Sequence, residues 1–164
     1  MRITHFDCVT TGRRAVLLGI GALALAPAAT RAEAKAAPRV LFVCQYGSVK
    51  SPIAREILRR RARERGIAVN TISRGITPEA HLPPEIAARL LAEGIDPARD
   101  GLHRLTPGDL QTGDIVVAFN PLPPGLPVAH GEDWTSVPSV LEAYPAAVAD
   151  IKRRVELLLD RIAG

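Results

Sequence analysis

From Val40 to Cys44 five apolar residues stand side by side, a run too short for a helix and unbroken by polar positions. It reads as a strand buried on both faces, as in a parallel sheet. The period then changes. Ile53, Ala54, Ile57, Leu58 and Ala62 recur at helical spacing, with Arg55, Arg59, Arg60 and Arg63 mostly on the other side and Gly66 as the stop. Ile67 to Ser73 alternates enough for a second strand. Pro83-Pro84-Glu85 opens a second helix with Ile86, Leu90 and Leu91 inward and Gly94 as its C-terminal cap, and Thr106-x-x-Asp109 marks a short helix start. Ile115 to Phe119 is a third buried strand. The stretch from Pro121 to Pro138, rich in proline and glycine, reads as loop with one short strand near Trp134 to Val137. A last helix takes Pro145 in its first turn and aligns Val148, Ile151, Val155, Leu158 and Ile162 on one face. Strands alternating with helices predict an α/β domain of three layers, α/β/α, around a mainly parallel four-stranded sheet with right-handed crossovers. No internal repeat and no second domain is expected.

The first 34 residues follow a different pattern. Arg13 and Arg14 precede an apolar run, Ala15 to Ala26, that Pro27 ends and small residues follow, with no acid between Asp7 and Glu33. That is a signal peptide's layout. The run is short of the roughly 20 apolar residues of a bilayer crossing, so no permanent membrane anchor is expected. Thr11-Gly12-Arg13-Arg14-Ala15-Val16-Leu17 resembles a twin-arginine export signal, with an ordinary secretion signal as the alternative. Cleavage at Ala32-Glu33-Ala34 divides the chain into a signal, 1–34, and a single domain, 35–164, with a periplasmic or secreted destination and the export machinery as a partner.

Composition adds limits. With 47% apolar and 23% charged residues the chain has a globular make-up, not a disordered one. Its formal charge is +4 over the whole sequence, but the 17 basic and 15 acidic residues from Lys35 onward leave only +2. Six aromatic side chains (three Phe, two Tyr, one Trp) offer few stacking platforms, so nucleic acid is not an expected partner. The arginine run from Arg55 to Arg65 reads as a solvated helix face. His81, His103 and His130 stand alone without ligand spacing, so neither a metal nor a cofactor is expected. Cys8 falls in the signal, which leaves Cys44 as the lone thiol from Lys35 onward and precludes an internal disulfide there.

Cys44 stands at the carboxyl end of the first strand, where sheets of this kind bind ligands. The turn Cys44-Gln45-Tyr46-Gly47-Ser48-Val49-Lys50-Ser51 suits a phosphate or another oxyanion. Gly47 and the small Ser48 let successive amides point inward, the next helix adds its partly positive N-terminus, and Lys50 adds a full charge. The same field favours ionised sulfur and makes Cys44 a nucleophile. A small buried core cysteine is the plainer alternative.

Val40-Leu41-Phe42-Val43-Cys44, five residues, a basic residue, then Ser51 and Pro52 resembles the low molecular weight protein tyrosine phosphatase family. Ser73-Arg74-Gly75 is similar to that family's Ser-Ala-Gly after the second strand. Gly94-Ile95-Asp96, His103-Arg104-Leu105-Thr106 and Asp114-Ile115-Val116-Val117 sit where its other segments would, so the likeness covers essentially all of 35–164. The resemblance implies two-step hydrolysis of phosphate monoesters: attack by Cys44, a phosphocysteine, then release by water. Gln45, Tyr46, Gly47, Ser48, Val49 and Lys50 would hold the phosphoryl oxygens, and Ser51 would stabilise the thiolate. Arsenate reductases share the architecture, but the thioredoxin-coupled type relays oxidation through further cysteines, which 35–164 lacks.

Three departures follow from the same comparison. The family's loop arginine is Lys50 here, and a point-charge ammonium holds two phosphoryl oxygens less well than a planar guanidinium fork, so weakened activity is expected. The loop asparagine three places after the cysteine is replaced by Gly47. The family's acid, an aspartate before proline, also has no counterpart in the loop before the last helix; Asp133, followed by Trp134, is the candidate, and Asp96-Pro97 lies in the wrong segment. Trp134 and Tyr46 are candidates to wall an aromatic substrate. The expectation is an exported phosphatase-like hydrolase dependent on Cys44; the alternative is a phosphate-binding or thiol-sensing module that performs no hydrolysis.

Overall fold

Residues 37–110, 115–126 and 128–164 are described by the computed structural model. Cys8, Arg13, Arg14, the cleavage motif Ala32-Glu33-Ala34 and Asp114 lie outside them. Strand β1 (Arg39–Cys44) lies inside a parallel sheet, between β2 (Asn70–Gly75) and β3 (Ile115–Ala118), and β4 (His130–Asp133) pairs with the far side of β3. All three pairings are parallel, with Val40 opposite both Thr71 and Ile115. The fold is therefore the α/β architecture with a four-stranded parallel sheet that the sequence predicts. A strand flanked on both sides has neither face nor edge in water, which is why β1 contains no polar residue after Arg39.

Helices α1 (Lys50–Glu64), α2 (Pro84–Ala92) and α3 (Tyr144–Ala163) connect or follow the strands. Alternation along β1 divides the core in two. Val40, Phe42 and Cys44 face Ile53, Ile57 and Leu58 of α1, Leu90 of α2, and Val148, Ile151, Val155 and Leu158 of α3. Leu41 and Val43 face the other way, toward Val116 and Leu110, under Leu105, Leu122, Leu126 and Val128. Among the described residues this second face is covered by a 3-10 turn, Pro107–Leu110, and irregular chain. Asp109 caps that turn, accepting from the Thr106 backbone N–H (2.9 Å) and hydroxyl (2.7 Å). No helix among the described residues is long and apolar enough to cross a membrane.

Several expectations shift. The second strand begins at Asn70, not Ile67, because Ile67 and Val69 pack onto the helix-side core from a loop and the first ladder contact is the Asn70 N–H on the Pro38 carbonyl (2.9 Å). The fourth strand is His130–Asp133, not Trp134–Val137: as an edge strand it has one neighbour and leaves His130, Gly131 and Asp133 exposed, so no apolar pattern marks it. Trp134 lies just beyond it, 3% exposed, edge-on to Phe119 (centroids 5.6 Å, 89°) and 5.8 Å from Phe42. Leu91 is 56% exposed instead of inward.

Arg55 is also not on a solvated face. Its guanidinium is 1% exposed and donates to Ser73 Oγ (2.8 Å), Glu56 Oε1 (3.1 Å) and the Pro97 carbonyl (3.3 Å), with Asp100 Oδ2 at 3.3 Å. A buried charge persists only with such partners. Most of the rest of the run is paired too: Arg59 with Glu56 and Asp100, Arg60 with Glu64, Arg61 with Glu64 and Glu156, Arg65 with Glu156 and Asp160.

Candidate active site

The strand-to-helix turn from Cys44 to Lys50 is held by its neighbours rather than by itself. Beyond the end of β2, the Ile76, Thr77 and Glu79 amides donate to the carbonyls of Cys44 (3.1 Å), Gln45 (2.9 Å) and Tyr46 (3.1 Å), so the outer side of the loop continues the sheet ladder. The Gln45 N–H donates to Asn120 Oδ1 (2.9 Å), just past β3, and Gln45 Nε2 donates to Thr77 Oγ1 (2.8 Å). The His81 N–H donates to Ser48 Oγ (3.1 Å).

Gly47 and Gly75 meet face to face. Gly47 adopts φ +70°, a backbone that side chains disfavour, and a Cβ on it would lie 2.7 Å from the Gly75 nitrogen. A Cβ on Gly75 would lie 2.8 Å from the Tyr46 carbonyl carbon and oxygen. Both contacts are with backbone, so neither can yield cheaply. This approach turns the Gly47 N–H onto Cys44 Sγ, 3.2 Å away.

Cys44 is 5% exposed and free of any disulfide. Its sulfur lies 3.0 Å from Ser51 Oγ, which is itself wholly buried in the first turn of α1. Ser51 has one hydroxyl hydrogen and two acceptors in reach, Cys44 Sγ and, at 3.4 Å, the Arg74 carbonyl. When the sulfur is ionised, the hydroxyl donates to it, and with the Gly47 N–H two donors meet one negative atom. Helix α1 begins without a side-chain cap and without an acid in its first turn, so its positive end is left to the loop.

Lys50 extends across the loop to donate to the Val137 carbonyl (2.6 Å). Burial pushes its ammonium below the ordinary lysine range, and the Cys44 sulfur pushes it back up. The ammonium thus ties the loop to the segment before α3.

Cys44, Gln45, Tyr46, Val49 and Lys50 all line one cavity of about 190 Å³. Gly47 and Ser48 border a separate, more apolar cavity of about 310 Å³ on the other side of the loop, with Ala80, Leu82 and Leu102. Sequence reasoning missed His81, Asn120 and Ser139, which line the Cys44 cavity. The position of Asn120 directly after a strand was the available signal, since strand ends carry such sites. No comparable signal marks His81.

Two predicted residues lie away from the loop and its cavity altogether. Asp133 ends β4 and borders a different depression beside Thr135 and Gly131. The Thr135 hydroxyl and backbone N–H (2.8 Å) hold its carboxyl below the ordinary range, the reverse of what a proton donor at neutral pH needs. Trp134 is a core residue, its Nε1 donating to Glu132 Oε2 (3.0 Å), and it does not line the Cys44 cavity. Among the described residues no group of three or more His, Cys, Asp or Glu is placed to hold a metal ion.

The family model for low molecular weight phosphotyrosine protein phosphatase matches residues 39–122, which is 84 of the 164 residues and takes in the whole loop. The chain belongs to that family. A phosphatase-type function comes with the membership. Solved structures agree on the fold: YfkJ from Bacillus subtilis superposes with TM-score 0.64 at 21% identity, over 77% of this chain and 95% of its own. The low molecular weight protein tyrosine phosphatase from T. tengcongensis gives 0.63 at 22%, over 76% and 99%. Vibrio vulnificus Wzb, solved in complex with benzylphosphonate, gives 0.61 at 14%, over 76% and 98%. No curated protein matches the sequence.

Proposed function

We propose that this chain hydrolyses phosphate monoesters of the phosphotyrosine kind through a phosphocysteine at Cys44. The observation that carries the reading is the pair of donors at the sulfur, Ser51 Oγ and the Gly47 N–H, on the floor of a loop at the N-terminus of α1. In the first step the thiolate forms an S–P bond as the P–O ester bond breaks and its electron pair leaves on the ester oxygen. In the second, water attacks phosphorus, the S–P bond breaks, and phosphate departs. Loop amides and the ammonium of Lys50 stabilise the equatorial oxygens. Gln45, Tyr46 and Val49 shape the entrance, and Gly47 and Ser48 contribute backbone.

Lys50 sets the pace in this reading. An ammonium has three hydrogens, so it can keep the Val137 carbonyl and still face a phosphoryl group, but it cannot grip two oxygens in one plane as a guanidinium does. Turnover is slow for that reason. The tie to Val137, and a cavity that no carboxyl lines among the described residues, also favour a second reading, a module that binds phosphate without cleaving esters. Mixing the chain with p-nitrophenyl phosphate, quenching in acid and mapping peptides by mass decides between them. A phosphoryl group on the Cys44 peptide is expected; bound phosphate with an unmodified Cys44 is what the second reading requires.

The same proposal places the enzyme outside the cytoplasm, with 1–34 as a twin-arginine-type signal and 35–164 as the released domain. Support comes from the Arg13-Arg14 pattern and from β1, which starts at Arg39, shortly after the expected cleavage point. Sequencing the N-terminus of the native protein is expected to give a start near Lys35. A start at Met1 would overturn the export reading.

A further inference from the structure

Cleaving a phosphate ester expels an alkoxide or phenoxide unless a proton arrives with the departing electron pair. Among the described residues no carboxyl lines the Cys44 cavity. The proton-bearing side chains that do are Cys44 itself, Gln45, Tyr46, Lys50, His81, Asn120 and Ser139. Amide and hydroxyl groups are too weakly acidic, and a phenol gives up its proton reluctantly at neutral pH. Lys50 would lose, with its proton, the charge that the phosphoryl group needs. An imidazolium is the remaining acid, and histidine is the side chain that ordinarily exchanges its proton between pH 5 and 8.

His81 is also held in place. Its ring stacks on that of Tyr46, centroids 4.4 Å apart and 24° from parallel, and its backbone N–H is anchored on Ser48 Oγ. Nδ1 lies 3.9 Å from Glu79 Oε1. Stacking uses the ring face and leaves the edge free, and Nε2 has no protein partner among the described residues. The groups beside the ring are Tyr46 from the loop and Glu79 from its own segment, and the other titratable or charged residues lining the cavity are Lys50 and Cys44.

We propose that His81 protonates the leaving oxygen, a role for which the Cys44 cavity offers no carboxyl among the described residues. The proposal rests on the phosphatase reading. As S–P forms and P–O breaks, the imidazolium proton passes to the ester oxygen. The neutral ring then accepts a proton from the attacking water as S–P breaks and the thiolate returns.

An acid matters most when the leaving group is poor, which gives a test that packing alone cannot imitate. The full chain and its His81→Asn and His81→Gln variants are assayed on phenyl phosphate, a poor leaving group, and on p-nitrophenyl phosphate, a good one. Both variants are expected to lose roughly a hundredfold in kcat/KM on phenyl phosphate, the usual scale of one acid, and to stay within a few-fold on p-nitrophenyl phosphate. The alkaline fall of the phenyl phosphate pH profile disappears with the ring. Equal losses on both esters, or none on either, would overturn the acid while leaving the nucleophile in place. A parent chain that turns over neither ester, with no phosphoryl group on Cys44, sinks the phosphatase reading and the acid together.

Discussion

The Cys44→Ser variant is expected to hydrolyse p-nitrophenyl phosphate no faster than buffer does, a loss of roughly 10³-fold or more, while still binding inorganic phosphate. Serine keeps the size of the side chain and its place on the loop floor, but its hydroxyl is not ionised near neutral pH, so the two donors at that atom have no anion to stabilise. Phosphate binding survives because the amides, the α1 N-terminus and Lys50 are untouched. Lys50→Arg moves the other way. A guanidinium there restores two parallel donors, and kcat/KM on the same ester is expected to rise about tenfold or more. Steady-state kinetics on the three proteins reads both effects. Unchanged turnover in Cys44→Ser would remove covalent catalysis from the account, and a fall in Lys50→Arg would mean that the tie to the Val137 carbonyl outweighs the fork.

Gly75→Ala is the second large effect, and it acts without touching the chemistry. The new Cβ would lie 2.8 Å from the carbonyl group of Tyr46 and 2.9 Å from the Gly47 nitrogen, all of it backbone. Either β2 or the loop must move, at a cost of roughly 3 kcal/mol, or about 10 °C in melting temperature for a domain of this size. The displacement also carries the Gly47 N–H away from the sulfur, so activity falls further than stability alone explains. Thermal melting beside activity on the folded fraction separates the two. A variant that melts with the parent and turns over normally would show that the two glycines are not in contact during catalysis.

How much of this was legible in sequence depended on whether a residue's environment was written beside it. The continuous apolar run of β1, the helical stripe of α1 and the small residues between them are local, so the loop and its cysteine could be read directly. β4 could not: an exposed edge strand needs no apolar residue, and His130-Gly131-Glu132-Asp133 offers none. Trp134 was ambiguous because a single aromatic in a loop does not say which way it turns; Phe42 and Phe119, far off in sequence, decide that. Asp133 looked suitable by its position before α3, and only the geometry shows it bordering another depression. Asn120 and His81 reach the cavity from β3's end and the segment after β2, and long-range placement of that kind leaves no local pattern.

The arginines of α1 bear on what the molecule does in a mixture. An isoelectric point near 9.6 suggests a protein that clings to polyanions. Yet Arg55, Arg59, Arg61 and Arg65 already face carboxylates of the same chain, and a nucleic acid or an acidic lipid surface would have to displace Glu56, Glu64, Asp100, Glu156 and Asp160 to reach them. In an electrophoretic field the chain migrates as a base; on a cation-exchange resin or beside a membrane this helix offers little beyond Arg63 that a carboxylate of the same chain does not already face.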